Sequence, residues 1–136
     1  MRTIAKEWLK SAALDLTTID KIIDNEELSG VAGYHAQRAV LESFFAVMEE
    51  KRMDFIKSND LILLASKIQK HIPLELDFDM LAILNQIALD TDYPEELGML
   101  PDGKLTLEDA RSLSAQAKHI WVEISSFLEN STPQNR

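Results

Sequence analysis

His35, Arg38 and Glu42 fall on one strip of a helical wheel, with Arg38 and Glu42 four residues and so one turn apart. An imidazole, a fixed cation and a carboxylate in line have two readings. They form a solvated charged strip, or they line a polar cleft between two protomers. Phe45 stands at the edge of this strip. An exposed Phe beside charges wants a partner, so Phe45, Arg38 and Glu42 are candidates for a dimer interface. Gln37 projects instead into an apolar arc, where an amide must find partners or cost about 1–3 kcal/mol. It reads as a tie between helices, through backbone or Asp15, or as a ligand contact. Tyr93, followed by Pro94, reads as a residue that sets loop geometry or as a pocket rim.

The remaining chemistry is sparse. The three histidines, His35, His71 and His119, lie on different predicted helices. None has a second His or a Cys at metal-ligand spacing, and neither HExxH nor paired Glu-x-x-His motifs occur. No metal or cofactor is therefore expected. The four glycines are scattered through turns rather than gathered in a phosphate loop. No serine has an evident base and orienting acid. No catalytic residue is assigned on these grounds.

The elements that must position these residues are helical. From Val31 to Lys51, at roughly 100° per residue, Tyr34, Gln37, Val40, Leu41, Phe44, Val47 and Met48 form one broad arc. An arc this wide needs neighbours on two sides, which makes this the central helix of a bundle. Ser29 is its expected N-cap. An earlier helix runs from about Thr3, as cap, to Asp24, with Ile4, Trp8, Ala12, Leu16, Ile19 and Ile23 as its core stripe. A third starts at Ser58, carries Leu61, Leu64, Ala65 and Ile68, and ends at His71-Ile-Pro73. A fourth runs from Asp77 or Asp79 to Leu89. A loop from Asp90 to about Leu105 follows, the longest in the chain, and reads as a surface crossover or as the place for a site. Thr106-Leu-Glu-Asp109 opens a last helix reaching Glu129, with His119 turned to solvent. No segment alternates as a half-buried strand does. The expected fold class is all-α, with a domain over 1–129 and a disordered tail over 130–136.

Composition sets outer bounds. The chain has 136 residues, a formal net charge of −9 and a pI of about 4.7. Binding to DNA, RNA or anionic membranes usually needs Lys and Arg against phosphate, so generic affinity of that kind is not expected. The absence of cysteine excludes disulfides and thiolate metal sites and fits a cytoplasmic protein. The N-terminal stretch has charges through its apolar positions and does not read as a signal peptide. No apolar run approaches the roughly 20 residues of a membrane span.

Taken in order, the motifs resemble the HEPN family of small helical domains. They are Trp8-Leu9-Lys10 followed by Asp15-Leu16, then Tyr34-His35-Ala36-Gln37-Arg38-Ala39. Ser58-Asn59-Asp60-Leu61, Thr91-Asp92-Tyr93-Pro94 and Glu108-Asp109-Ala110 follow. The resemblance spans about Trp8 to Leu128. It implies an antiparallel up-and-down bundle of four main helices plus a shorter fifth, usually a homodimer. Many such domains are ribonucleases or toxins. Others accompany minimal nucleotidyltransferases or bind nucleotides. The ribonuclease members carry an Arg, four to six intervening residues and a His, the Arg stabilising phosphate charge while the His moves a proton.

No arginine here has a histidine at that spacing. Arg38 stands where the family commonly has a second Gln, Leu41-Glu42 replace a Glu-Lys pair, and Phe45 replaces a Lys. Asn59 and Asp92 stand in place of a His and an Arg. These changes remove positive charge and titratable nitrogen from the positions that hold a phosphate in the family. The leading expectation is a non-catalytic HEPN-like binding or interaction module. It would serve beside a nucleotidyltransferase or in a toxin–antitoxin or defence setting. The alternatives are a ribonuclease with an unorthodox site drawn from His35, Arg38, Asp60 and Tyr93, and a nucleotide binder using His35, Gln37, Arg38 and Tyr93.

Overall fold

The computed structural model describes residues 1–54, 56–92 and 105–130. Five α-helices follow in order: α1 (Thr3–Ile22), α2 (Ser29–Glu50), α3 (Leu61–Ile68), α4 (Phe78–Asp92) and α5 (Leu107–Asn130), with a short 3-10 turn at Glu26–Leu28 before α2. Four are long and α3 is short, the arrangement that the family resemblance implies, with α3 shorter at both ends than the expected span from Ser58 to His71. The described residues contain no strand.

Helix α2 is the centre. It touches every other helix, and α1 and α5 cover it most extensively. From Ala39 to Met48 every residue is buried, whichever way it points. The expected two-sided burial is therefore too modest. The strip read as charged and solvated is a further interface, closed by α1. Small residues make this approach possible: Ala5 and Ala12 on α1 and Ala36, Ala39 and Ala46 on α2 are fully buried. The buried stripe of α1 is Ala5, Leu9, Ala12 and Ile19, rotated from the expected one, and Ile4 is exposed.

The α1–α2 register is antiparallel and can be read from polar ties. The Arg2 backbone N–H donates to Glu50 Oε1 at 2.7 Å, and its guanidinium donates to the Glu49 carbonyl. Trp8 packs on Phe45, ring centroids 5.0 Å apart. Further along, Ser11 meets Glu42 and Asp15 meets His35. Trp121 Nε1 donates to the Leu9 carbonyl at 2.9 Å and so fixes α5 against α1.

Helix ends follow local chemistry, with corrections. The cap of α1 is Arg2, without a side-chain bond, rather than Thr3. Ser29 is the first residue of α2, and its hydroxyl donates to the Leu105 carbonyl at 2.5 Å instead of capping. Asp60, not Ser58, caps α3, accepting from the Ile62 and Leu63 N–H groups, while Ser58 Oγ accepts from the Asp60 N–H. Thr106 caps α5 as expected. Helix α4 extends three residues past the expected end at Leu89.

Two backbone points need comment. Arg52 has φ 51°, and the Met53 and Arg52 N–H groups reach back to the Met48 and Glu49 carbonyls, the left-handed termination that ends α2. Gly33 lies so close to its neighbours that a Cβ would stand 2.6 Å from Leu105 and 3.2 Å from Ile87. Glycine is what lets α2 lie this close to α4 and to the approach to α5.

Candidate functional site: a polar seam between α1 and α2

The polar groups of α2 meet α1 along one seam. Ser11 and Asp15 stand one turn apart on α1 and face Glu42 and His35 on α2. His35 Nδ1 is 2.8 Å from Asp15 Oδ1. The Ser11 hydroxyl donates to Glu42 Oε2, and the Arg38 guanidinium reaches the same oxygen at 3.5 Å. Exposure is graded across the seam: the side chains of Arg38, His35, Asp15 and Glu42 are 38%, 27%, 16% and 3% exposed. Bases thus stand at the mouth and carboxylates behind them.

Glu42 is the unusual member. Burial in the helix interface disfavours its charged form, and the neighbouring Asp15 carboxyl adds to this by hydrogen bonding and repulsion. Ser11 and Arg38 oppose the shift without cancelling it, and the pKa rises from 4.5 to about 7. Its second oxygen, Oε1, is buried with no hydrogen-bond donor among the described residues. A proton on Glu42 resolves both features. It removes a buried charge and turns an acceptor into a donor beside Asp15. At neutral pH Glu42 therefore carries its proton for part of the time.

The sequence-derived candidates separate into three groups. His35, Arg38 and Glu42 come together, but the cleft they line is within one chain, against α1. Phe45 is 8% exposed and lies under Trp8. The argument for a dimer contact from an exposed Phe45 is corrected, because α1 supplies the cover. Gln37 is 2% exposed in the core, and Asp15 is engaged by His35 rather than by Gln37 among the described residues. Asp60 is occupied as a helix cap and also accepts from Asn85 Nδ2 at 3.0 Å. It is not joined to His35 or Arg38 among the described residues. Tyr93, the rest of the long loop to residue 104 and the tail from 131 lie outside the described residues. Ser11 was missed. Its signal was its position four residues before Asp15, which places both on one face of α1.

Among the described residues no group of three or more His, Asp or Glu side chains is placed to hold a metal ion. No helix among them is long and apolar enough to cross a membrane.

The model of the HEPN domain family matches residues 5–126. The chain belongs to the HEPN domain family. Among solved structures, an archaeal HEPN homologue superposes with a TM-score of 0.65 at 14% sequence identity, covering 93% of this chain and 99% of the other. That likeness speaks for the fold alone. No curated protein matches the sequence.

Proposed function

We propose that this HEPN domain is a binding or interaction module that does not cleave RNA. The observation that carries this reading is the seam. His35 and Arg38, the base and cation best placed for phosphodiester chemistry on α2, each engage a carboxylate of the same chain. A phosphate arriving there must displace those partners and then meet Asp15 and Glu42, in a chain of net charge −9. The spacing of Arg and His used by ribonuclease members is absent as well. The setting proposed is cytoplasmic, beside a minimal nucleotidyltransferase or within a toxin–antitoxin or defence pair, as the family resemblance suggests. Homodimer formation belongs to this proposal too, and Phe45 lends it no surface.

The test is incubation of purified protein with a mixed RNA pool, with Arg38→Ala and His35→Ala alongside. All three samples are expected to leave the RNA intact. Cleavage by wild type that disappears in either variant would overturn the reading and place a nuclease site on the seam.

A further inference from the structure

Two shallow cavities lie end to end along one side of α5, away from the seam. The first, of about 290 Å³, has Leu76, Met80 and Ile120 as its apolar lining, with Glu75 and Asp77 at its edge. The second, of about 340 Å³, is lined by Ile72, Leu74, Val122 and Phe127, with Glu123 beside them. The chain from Ile72 to Met80 runs antiparallel to α5 here: its first residues face 122–127 and its last face 115–120. Together the cavities follow α5 from Ala115 to Phe127, about 18 Å at a helical rise of about 1.5 Å per residue.

The lining is one-sided in charge. Glu75, Asp77 and Glu123 contribute carboxylates, and Lys51 stands with its Nζ 5.3 Å over the Phe127 ring at the far end of the second cavity. The single titratable base, His119, already stands 3.1 Å from Glu123. Val122 presents hydrocarbon to solvent, 43% exposed beside Glu123. An apolar floor about three turns long with acidic edges complements an amphipathic helix whose polar flanks are basic. Nucleic acid and anionic membrane surfaces are repelled by the same carboxylates.

We infer that the trough between Ile72–Met80 and α5 is a docking surface for a Lys- or Arg-rich amphipathic helix of a partner protein. The inference deepens the interaction-module reading and rests on it. Val122 offers an apolar anchor point, while Glu75, Asp77 and Glu123 select positive flanks and set the approach.

The probe is a synthetic amphipathic helix of about four turns, with Leu on one stripe and Lys elsewhere. Its binding is followed by fluorescence anisotropy near physiological salt, where long-range attraction is screened within about 8 Å. The wild-type chain is expected to bind it. The double variant Glu75→Lys/Glu123→Lys should weaken binding by about tenfold or more. Glu7→Lys/Asp20→Lys, which makes the same charge change at exposed positions of α1, should change it by less than about twofold. Val122→Asp should weaken binding while leaving the circular dichroism spectrum unchanged. Three results would overturn the inference: no binding, equal losses in both double variants, or equal affinity for a peptide with Glu in place of Lys. Self-association abolished by the trough variants would also overturn it, by assigning the trough to a second copy. Cleavage of RNA by the wild type would sink the broader reading whatever the peptide shows, so the two failures are distinguishable.

Discussion

Helix α2 has two faces built on opposite terms. One carries Val40, Phe44 and Val47, fully buried and closed by hydrocarbon from the surrounding helices. The other meets α1 and carries Glu42, also buried, with His35 and Arg38 at the rim. The first face gains from every contact, because hydrocarbon leaving water needs no directed partner. The second depends on directed partners: Ser11 donates to Glu42 and His35 meets Asp15, while Glu42 Oε1 has no donor among the described residues. Burial alone thus separates the two faces poorly. They differ in whether stability depends on protonation.

That difference can be broken open by substitution. Phe44→Ala, on the apolar face, should give the largest effect, a loss of about 3–5 kcal/mol from a fully buried aromatic. Chemical unfolding should return the same loss at pH 5 and pH 8, since nothing beside Phe44 on that face needs to titrate. A loss that varied strongly with pH would mean that the two faces are not separable.

Glu42→Gln sharpens the contrast from the polar side. A carboxyl whose folded pKa stands near 7 and whose unfolded pKa is 4.5 holds its proton more tightly in the fold. Its contribution to stability is therefore fully present below about 4.5 and is lost as pH rises through about 7. At about 1.4 kcal/mol per pKa unit, the penalty for ionising Glu42 approaches about 3 kcal/mol. Glutamine keeps an acceptor for Ser11 and a donor toward Asp15, yet cannot ionise. The variant should match wild type within about 1 kcal/mol at pH 5 and exceed it by up to about 3 kcal/mol at pH 8. Equal stabilities at both pH values would show that Glu42 ionises freely in the fold.

The same contrast explains what the sequence disclosed. The apolar face was legible because periodicity reports it directly: the wide arc centred near Phe44 identified α2 as the central helix. Helix order, the Thr106 cap and the solvent position of His119 were legible for similar local reasons. The polar face was not. A charged strip looks alike on a wheel whether it meets water or another helix. Glu42 therefore read as solvated or as lining a cleft between protomers, and Phe45 as exposed. The available hint was the small residues Ala39 and Ala46 beside the strip, which admit a neighbouring helix, together with Ala5 and Ala12 on α1. Ser11 escaped because serine on a helix surface is common. Only the pairing of α1 with α2 gives it a carboxylate to serve.

The seam spends its polar groups on one another, and burial between the helices keeps Glu42 partly protonated at neutral pH. The most direct measurement is a carbon-13 NMR titration of the Glu42 side-chain carboxyl, assigned by comparison with Glu42→Gln. The expected midpoint is near 7, well above the ordinary 4.5. A midpoint among the ordinary carboxylates would contradict it. Glu42 would then be ionised throughout the neutral range, with Ser11 and Arg38 compensating its burial in full.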